Sequence, residues 1–328
     1  MSQPSGTSIA EAYQRLRPLL FSIAYRMLGS VSEAEDIVQE AFVRYHKAVT
    51  EHGEPDSPKA YLSTVVTRLC IDQLNSARVR RESYVGEWLP EPLLTGPEPL
   101  VRPADDPAAQ AEQADSLSMA FLLLLERLTP LERAVFLLHD IFGYDYDETS
   151  EIVSRTPASC RQLAHRARQH VEAERPRFDV RAEQRNELAA RFFDAVENGD
   201  MAGLIGMLAG DVEVHGDGGG AGGGISWRKP IVGRDHVARL LGAVGKQLRA
   251  VQGSLQHVEV NGQPGALVLA SDGGLIAVLT LDIADGQVQT FRSVLARDKL
   301  RHLGPLADIG ALIEQRRGPD SQAGPSAP

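Results

Sequence analysis

Six prolines, Pro90, Pro92, Pro97, Pro99, Pro103 and Pro107, fall within the short stretch from Trp88 to Pro107. Each fixes φ and lacks an N–H, so no regular element is expected in such a segment. The stretch is predicted to be an extended linker that divides the chain.

Before it, the pattern is helical. Leu16, Leu19, Leu20, Ile23, Met27 and Leu28 recur at helix spacing, and Gly29 stops that helix. Ser32 with Glu35 three residues on reads as a capping box for a second helix, whose inner face carries Ile37, Val38, Ala41, Phe42 and Tyr45. Ser57-Pro58 opens a third, with proline at the first helical position. Helical texture resumes at Ala108, and Thr129-Pro130 with Glu132 is another capped start.

Past Arg181 the texture changes. A helix around Leu188 to Val196 precedes the glycine run Gly216 to Gly224. Four β-type stretches follow, Leu255–Val260, Ala266–Ala270, Leu275–Ile283 and Gln287–Leu295, with Asn261-Gly262 and Asp285-Gly286 as hairpin turns. Helices followed by hairpins indicate a separate α+β domain. Arg316 to Pro328 is polar and rich in Pro and Gly, the composition of a disordered tail.

Composition excludes several classes. No apolar run approaches the ~20 residues that span a bilayer, and Met1 to Ser8 has neither the basic flank nor the apolar stretch of a signal peptide. The two cysteines, Cys70 and Cys160, lie in helical patterns and read as buried thiols in a reducing cytoplasm. No Cys/His cluster has zinc-ligand spacing, and neither a metal nor a cofactor is expected. A net charge of -10 argues against a protein that grips bare DNA unaided.

The charges are unevenly placed, however. Tyr146–Val153, a tight turn Ser154–Thr156 and a helix from Pro157 to Val171 make a helix-turn-helix, whose second helix enters the major groove. From Arg155 to His170 there is no carboxylate. Ser159, Arg161 and Gln162 lie in the first turns, and Arg and Gln make bidentate contacts to guanine and adenine. His165 adds to the basic face, while Arg166 and Arg168 suit phosphates. The bland alternative is a helical pair with a solvated basic face. A second cluster, Asn75, Arg78, Arg80 and Arg81 with Tyr84 and Trp88, suits unpaired DNA, since rings stack on bases while cations follow the backbone.

These residues resemble a known family. Glu33-Ala34-Glu35-Asp36-Ile37-Val38-Gln39-Glu40-Ala41-Phe42 is similar to the polymerase-binding helix of sigma-70-type factors, and Gly143 to Arg168 to their region four. Region two, a linker and region four form the minimal plan of the extracytoplasmic-function group. Trp88-Leu89-Pro90-Glu91-Pro92 resembles the signature of its subgroup with a fused SnoaL-like extension. So do Asp217-Gly218-Gly219-Gly220, Asn261-Gly262-Gln263-Pro264-Gly265 and Asp298-Lys299-Leu300. Departures are Ala221 in place of Lys, Ala296-Arg297 in place of Asn-Pro, and Ser154 where the turn commonly has Gly.

The resemblance implies a multi-domain chain: two all-α sigma domains plus an α+β cone of the nuclear-transport-factor-two type. Region two would span 9–87, the linker 88–107, region four 108–178, the cone 182–303 and the tail 316–328. It implies a cytoplasmic factor that directs RNA polymerase to promoters. Asp36, Gln39 and Glu40 would dock on the clamp helices of the largest subunit, and region four would meet the flap of the second-largest. Asn75, Arg78, Arg80 and Arg81 would serve the minus-ten element. Ser159, Arg161, Gln162, His165, Arg166 and Arg168 would serve the minus-thirty-five element. The cone would replace a separate anti-sigma protein, act through the motifs just quoted, and leave room for an unidentified small ligand. The alternative is a SnoaL-type cyclase or isomerase fused to a DNA-binding module, with His215 and Asp217 as an acid/base pair and Asp211 and Glu213 nearby. Fold sharing does not transfer chemistry, so a non-enzymatic role is expected.

Overall fold

The computed structural model describes residues 6–81, 86–96, 116–174, 181–219 and 229–308, with side chains left out at 6–8, 77–81, 173–174 and 182. Tyr84, Pro97 to Pro107, Gly220, Ala221 and the tail lie outside the described residues, as do the side chains of Arg78, Arg80 and Arg81. The chain falls into two compact units. One takes Met1–Tyr84 and Thr95–Pro176, the other Val85–Leu94 and Arg177–Pro328.

The first unit is all helical. Helices α1 (Gly6–Leu28), α2 (Val31–His52) and α3 (Pro58–Arg81) pack together around Leu20, Ile23, Met27, Tyr45, Leu62 and Val66, all buried. Gly29 closes α1 at φ 67°, with its N–H on Tyr25 O. The cap of α2 is Ser30 and not Ser32: Ser30 Oγ accepts from Glu33 N–H. Two Ser/Glu pairs overlap in this sequence, and the chain reversal at Gly29 selects the earlier one. After α4 (Met119–Leu125), helix α5 (Pro130–Phe136) starts on a complete capping box between Thr129 and Glu132, then runs into a π turn, Leu137–Ile141. Helices α6 (Tyr146–Val153) and α7 (Pro157–Glu174) form the helix-turn-helix.

The second unit is α+β. Strand β1 (Leu94–Thr95) comes from the linker, a regular element that its prolines did not foretell. Helices α8 (Ala182–Asn198) and α9 (Met201–Met207) precede β2 (Leu208–Asp217). Then come β3 (Ile231–Val232), α10 (Arg234–Ala250), β4 (Ser254–Val260), β5 (Gln263–Leu269), β6 (Leu275–Ala284), β7 (Gln287–Val294) and the short α11 (Arg297–Leu300). The sheet order is β1-β4-β5-β6-β7-β2-β3, with β4 to β7 successively antiparallel, β3 antiparallel to β2, and β2 parallel to β7. Both hairpin turns put two residues at positive φ, Asn261 and Gly262 between β4 and β5, and Asp285 and Gly286 between β6 and β7. That is the turn whose twist matches paired strands.

The sheet has two unlike faces. Val214, Phe291 and Leu281 stand opposite one another on β2, β7 and β6 and join the apolar core. Phe192 and Phe193 of α8 and Val237, Leu241 and Leu248 of α10 complete it. One residue along, His215, Arg292 and Thr280 also stand opposite one another. Side chains alternate along a strand, so this polar row lies on the other face.

Candidate nucleic-acid interface and linker site

The helix-turn-helix is built by local caps. Asp145 and Glu148 make a reciprocal capping box at the start of α6. Ser154 takes the left-handed conformation at φ 53° that ends it. Thr156 Oγ1 accepts from Ser159 N–H at 3.2 Å and Pro157 opens α7. Cys160, Leu163, Ala164, Ala167 and Val171 are buried, so the opposite stripe of α7 faces solvent.

On that stripe Arg161, Gln162, His165 and Arg166 are exposed, and Ser159 is half-buried. The Arg161 guanidinium lies 5.4 Å from the Tyr146 ring centroid, which draws it toward α6. Arg166 and Arg168 are more occupied than their spacing suggested. Arg166 Nε donates to Glu132 Oε1 at 2.9 Å, and Arg168 Nε to Asp140 Oδ1 at 2.6 Å. The Asp140 hydrogen bond holds the Arg168 guanidinium above its ordinary pKa against burial.

Helix α3 also grips this motif. Arg68 donates to Ile152 O, Glu151 O and Ser154 Oγ at 3.0, 3.1 and 2.8 Å, capping the last carbonyls of α6. Ser63 Oγ and Tyr144 Oη are 2.8 Å apart in the buried interface. None of this was foreseen from the sequence, because the partners are more than eighty residues apart. Asn75 is exposed near the end of α3. On α2, Asp36, Gln39 and Glu40 are exposed on one face, which also carries Val43 at 64% exposure.

The linker residues Glu87 to Leu93 lie on the second unit and are held largely by their main chain. Leu89 N–H donates to Asp217 Oδ2 at 2.9 Å, and Lys299 Nζ donates to Leu89 O and to the same Asp217 oxygen, both at 2.6 Å. Leu93 exchanges two bonds with Asn261, N–H to Oδ1 at 3.0 Å and O from N–H at 2.8 Å. His302 Nε2 reaches Pro92 O at 2.8 Å. Leu89 is 2% exposed, and Lys299 Nζ stands 4.3 Å from the Trp88 ring centroid. Leu89 is therefore the deeper of the two anchors, and Trp88 covers the lysine.

Asp217, Asn261 and Lys299 are buried, and Leu300 beneath them is 1% exposed. Burial pushes the Lys299 ammonium below its ordinary pKa even though Asp217 opposes that. Gly219 at φ 91° donates its N–H to Asp217 Oδ1 at 3.0 Å. Gln263, Pro264 and Gly265 are buried at the start of β5, with Gly262 in the turn before them and Gly218 after β2, while Asp298 is exposed.

His215 and Asp217 do share a face of β2. It is the face opposite the apolar core, and both side chains bind the linker. His215 Nδ1 is 2.8 Å from Glu87 Oε1, and its Nε2 is 3.0 Å from Glu213 Oε2. Glu87 and His302 were not among the expected site residues. No helix among the described residues is long and apolar enough to cross a membrane, and none of their His, Cys, Asp and Glu side chains form a group suited to a metal ion. Cys70 and Cys160 are free and buried, and burial pushes both thiols up.

Known proteins match this arrangement. Residues 12–80 match the family described as Sigma-70 region 2, and residues 118–171 the family described as Sigma-70, region 4. The ECF RNA polymerase sigma factor SigJ of Mycobacterium tuberculosis is 35% identical, over 93% of this chain and 95% of that one. The probable ECF RNA polymerase sigma factor SigI of the same species is 33% identical, over 85% and 90%. The crystal structure of the M. tuberculosis extracytoplasmic function sigma factor SigJ superposes with a TM-score of 0.68 at 33% identity, covering 91% of this chain and 100% of that one. Helical regions two and four, here followed by an α+β extension, define a sigma-70-type transcription factor. The chain belongs to the extracytoplasmic-function RNA polymerase sigma factors, which direct polymerase to specific promoters and initiate transcription.

Proposed function

We propose that this sigma factor reads promoters with the side chains named above, and that its cone governs the factor by holding the linker, in place of a separate anti-sigma protein. On this reading region two runs from residue 9 to just before Glu87, which docks with the linker, and region four occupies 108–178. The cone is 182–303, working together with the linker motif it binds. Arg161 and Gln162, flanked by Ser159 and His165, read base edges of the minus-thirty-five element, because they are exposed in the first turns of α7. Arg166 and Arg168 position the helix on phosphates and share their charge with Glu132 and Asp140. Asn75, Arg78, Arg80 and Arg81 hold the melted minus-ten strand, so reversing the charge of Arg80 and Arg81 slows open-complex formation more than holoenzyme assembly. Permanganate footprinting reads that difference, and unchanged melting would contradict it.

Asp36, Gln39 and Glu40 dock on the clamp helices of the largest polymerase subunit, with Val43 supplying apolar area beside them. Region four meets the flap of the second-largest subunit. Polymerase supplies the remaining DNA affinity, which accommodates the net charge of -10. The factor acts in the cytoplasm, where its polymerase is.

The observation that carries the regulatory part is the seating of Glu87 to Leu93 on the cone through main-chain hydrogen bonds and the buried Leu89 side chain. Amide exchange at Trp88, Leu89, Glu91 and Leu93 tests it. Protection is expected in the full chain and lost in a chain ending at Arg181, with a change in transcription. Identical exchange in both chains would contradict it.

A further inference from the structure

One contact between cone and linker has a geometry that favours an extra proton on its ring. His215 lies between two carboxylates, Glu87 of the linker at 2.8 Å and Glu213 of its own strand at 3.0 Å, each facing a different ring nitrogen. An ionised carboxylate only accepts hydrogen bonds, and a neutral imidazole has one N–H and one bare lone pair. A neutral ring would therefore aim its lone pair at a carboxylate oxygen at hydrogen-bonding distance. The imidazolium donates to both. The other Glu87 oxygen accepts from Gly216 N–H at 3.1 Å, so this carboxylate acts as an acceptor at both oxygens.

The other charges around the ring leave this balance in place. Arg292 stands directly across on β7 and opposes a second positive charge, but its guanidinium is bonded to Asp282 of β6. Asp217, two residues along β2, is neutralised by Lys299. Burial works against the charged ring. The hydrogen bond and charge of Glu87 outweigh it, Arg292 subtracts, Glu213 adds, and His215 ends above the ordinary histidine pKa.

We propose that docking of the linker takes up a proton at His215, so that Glu87, His215 and Glu213 form a pH-gated latch that closes in acid and opens toward alkaline pH. When the linker leaves, Glu87 leaves with it, and the ring loses the contact that most favours its charged form. The stabilisation is thus full below the pKa of the undocked ring and is lost as pH rises through the pKa of the docked ring. His302, the other histidine that contacts the linker, faces a carbonyl rather than a second carboxylate. Its Nε2 faces the Pro92 carbonyl, to which a neutral ring also donates, and Glu91 is 4.0 Å from its other nitrogen. The consequence for transcription rests on the reading that linker docking governs the factor, whereas the latch itself is a property of docking.

The full chain provides the test. Protection of the Leu89 and Leu93 amides, corrected for intrinsic exchange, is expected to fall with rising pH by up to about tenfold per pH unit, the limit for one proton. Glu87→Gln and His215→Gln should each flatten that slope, and His302→Gln should keep it. Imidazole nitrogen shifts of His215 should show both nitrogens protonated wherever Leu89 is protected. Protection that does not vary with pH, a neutral His215 ring in the protected state, or an unchanged slope in His215→Gln would each overturn the latch. A linker unprotected at every pH would overturn the docking reading as well. A protected but pH-independent linker would remove the latch alone.

Discussion

Helix α7 and the linker site on the cone use polar side chains in opposite ways. On α7, Arg161, Gln162 and His165 stand in solvent while small and apolar residues hold the helix from behind. On the cone, Asp217, Asn261 and Lys299 are buried and their hydrogen bonds go to the linker's own backbone. Exposed donors on a capped, rigid helix suit an external ligand, because little has to be broken before they bind. Buried and satisfied groups do the reverse, because each becomes costly when its partner leaves. One surface is open to an external ligand and the other holds the chain to itself.

The sharpest way to break this contrast is Lys299→Ala. It takes the cation from the buried Asp217 carboxylate and the lysine donor from the Leu89 carbonyl, and removal of one partner of a buried pair costs about 3–5 kcal/mol. Denaturant unfolding of the second unit should show that loss together with exposure of Leu89. A change no larger than that of a surface substitution would place the lysine outside any real clamp.

On the outward surface the fold should barely respond while binding does. Arg161→Ala and Gln162→Ala are each expected to weaken promoter binding by the holoenzyme by ~1–3 kcal/mol per lost base contact. Unfolding and core binding should stay as they were. Equal promoter affinity in both variants would mean that α7 is misassigned as the reading helix.

A smaller effect belongs to the helix scaffold of the first unit. Thr129→Ala removes the side chain that accepts from Glu132 N–H and frees Glu132, which also holds Arg166. Lost caps of this kind cost about 1 kcal/mol. A thermal melt should register it without a change in DNA sequence preference. The smallest effect is Arg44→Ala. Its pair with Glu40 is half exposed, and helix-surface pairs contribute about 0.3–0.5 kcal/mol. Polymerase binding, for which Glu40 itself is proposed, should hold in this variant, and a large loss would show that Arg44 belongs to the docking surface.

Legibility in the sequence followed the distance between partners. The caps at Thr129 and Thr156 and the turns at Asn261-Gly262 and Asp285-Gly286 act within a few residues, and each stands where the sequence placed it. Helix α10 escaped notice because Gly242 and Gly245 interrupt its pattern and the glycine run precedes it. Gly245 is there for packing, since a Cβ would come within 2.2 Å of Val196 O on α8. Of the adjacent Trp88 and Leu89, Leu89 is the buried one, which only the cone's shape decides. Glu87 and His302 have partners 128 and 210 residues away, and no local pattern marks such pairs. Arg166 and Arg168 were legible as basic residues on α7. Their carboxylate partners on other elements were not.

Transcription by core polymerase reconstituted with the full chain, compared with the Lys299→Ala chain on the same promoter, tests most directly that a held linker governs a promoter-reading factor. The expected result is initiation at one discrete start site with both proteins, in different amounts. The same start site with equal output, while Leu89 has become exposed in the variant, would contradict it.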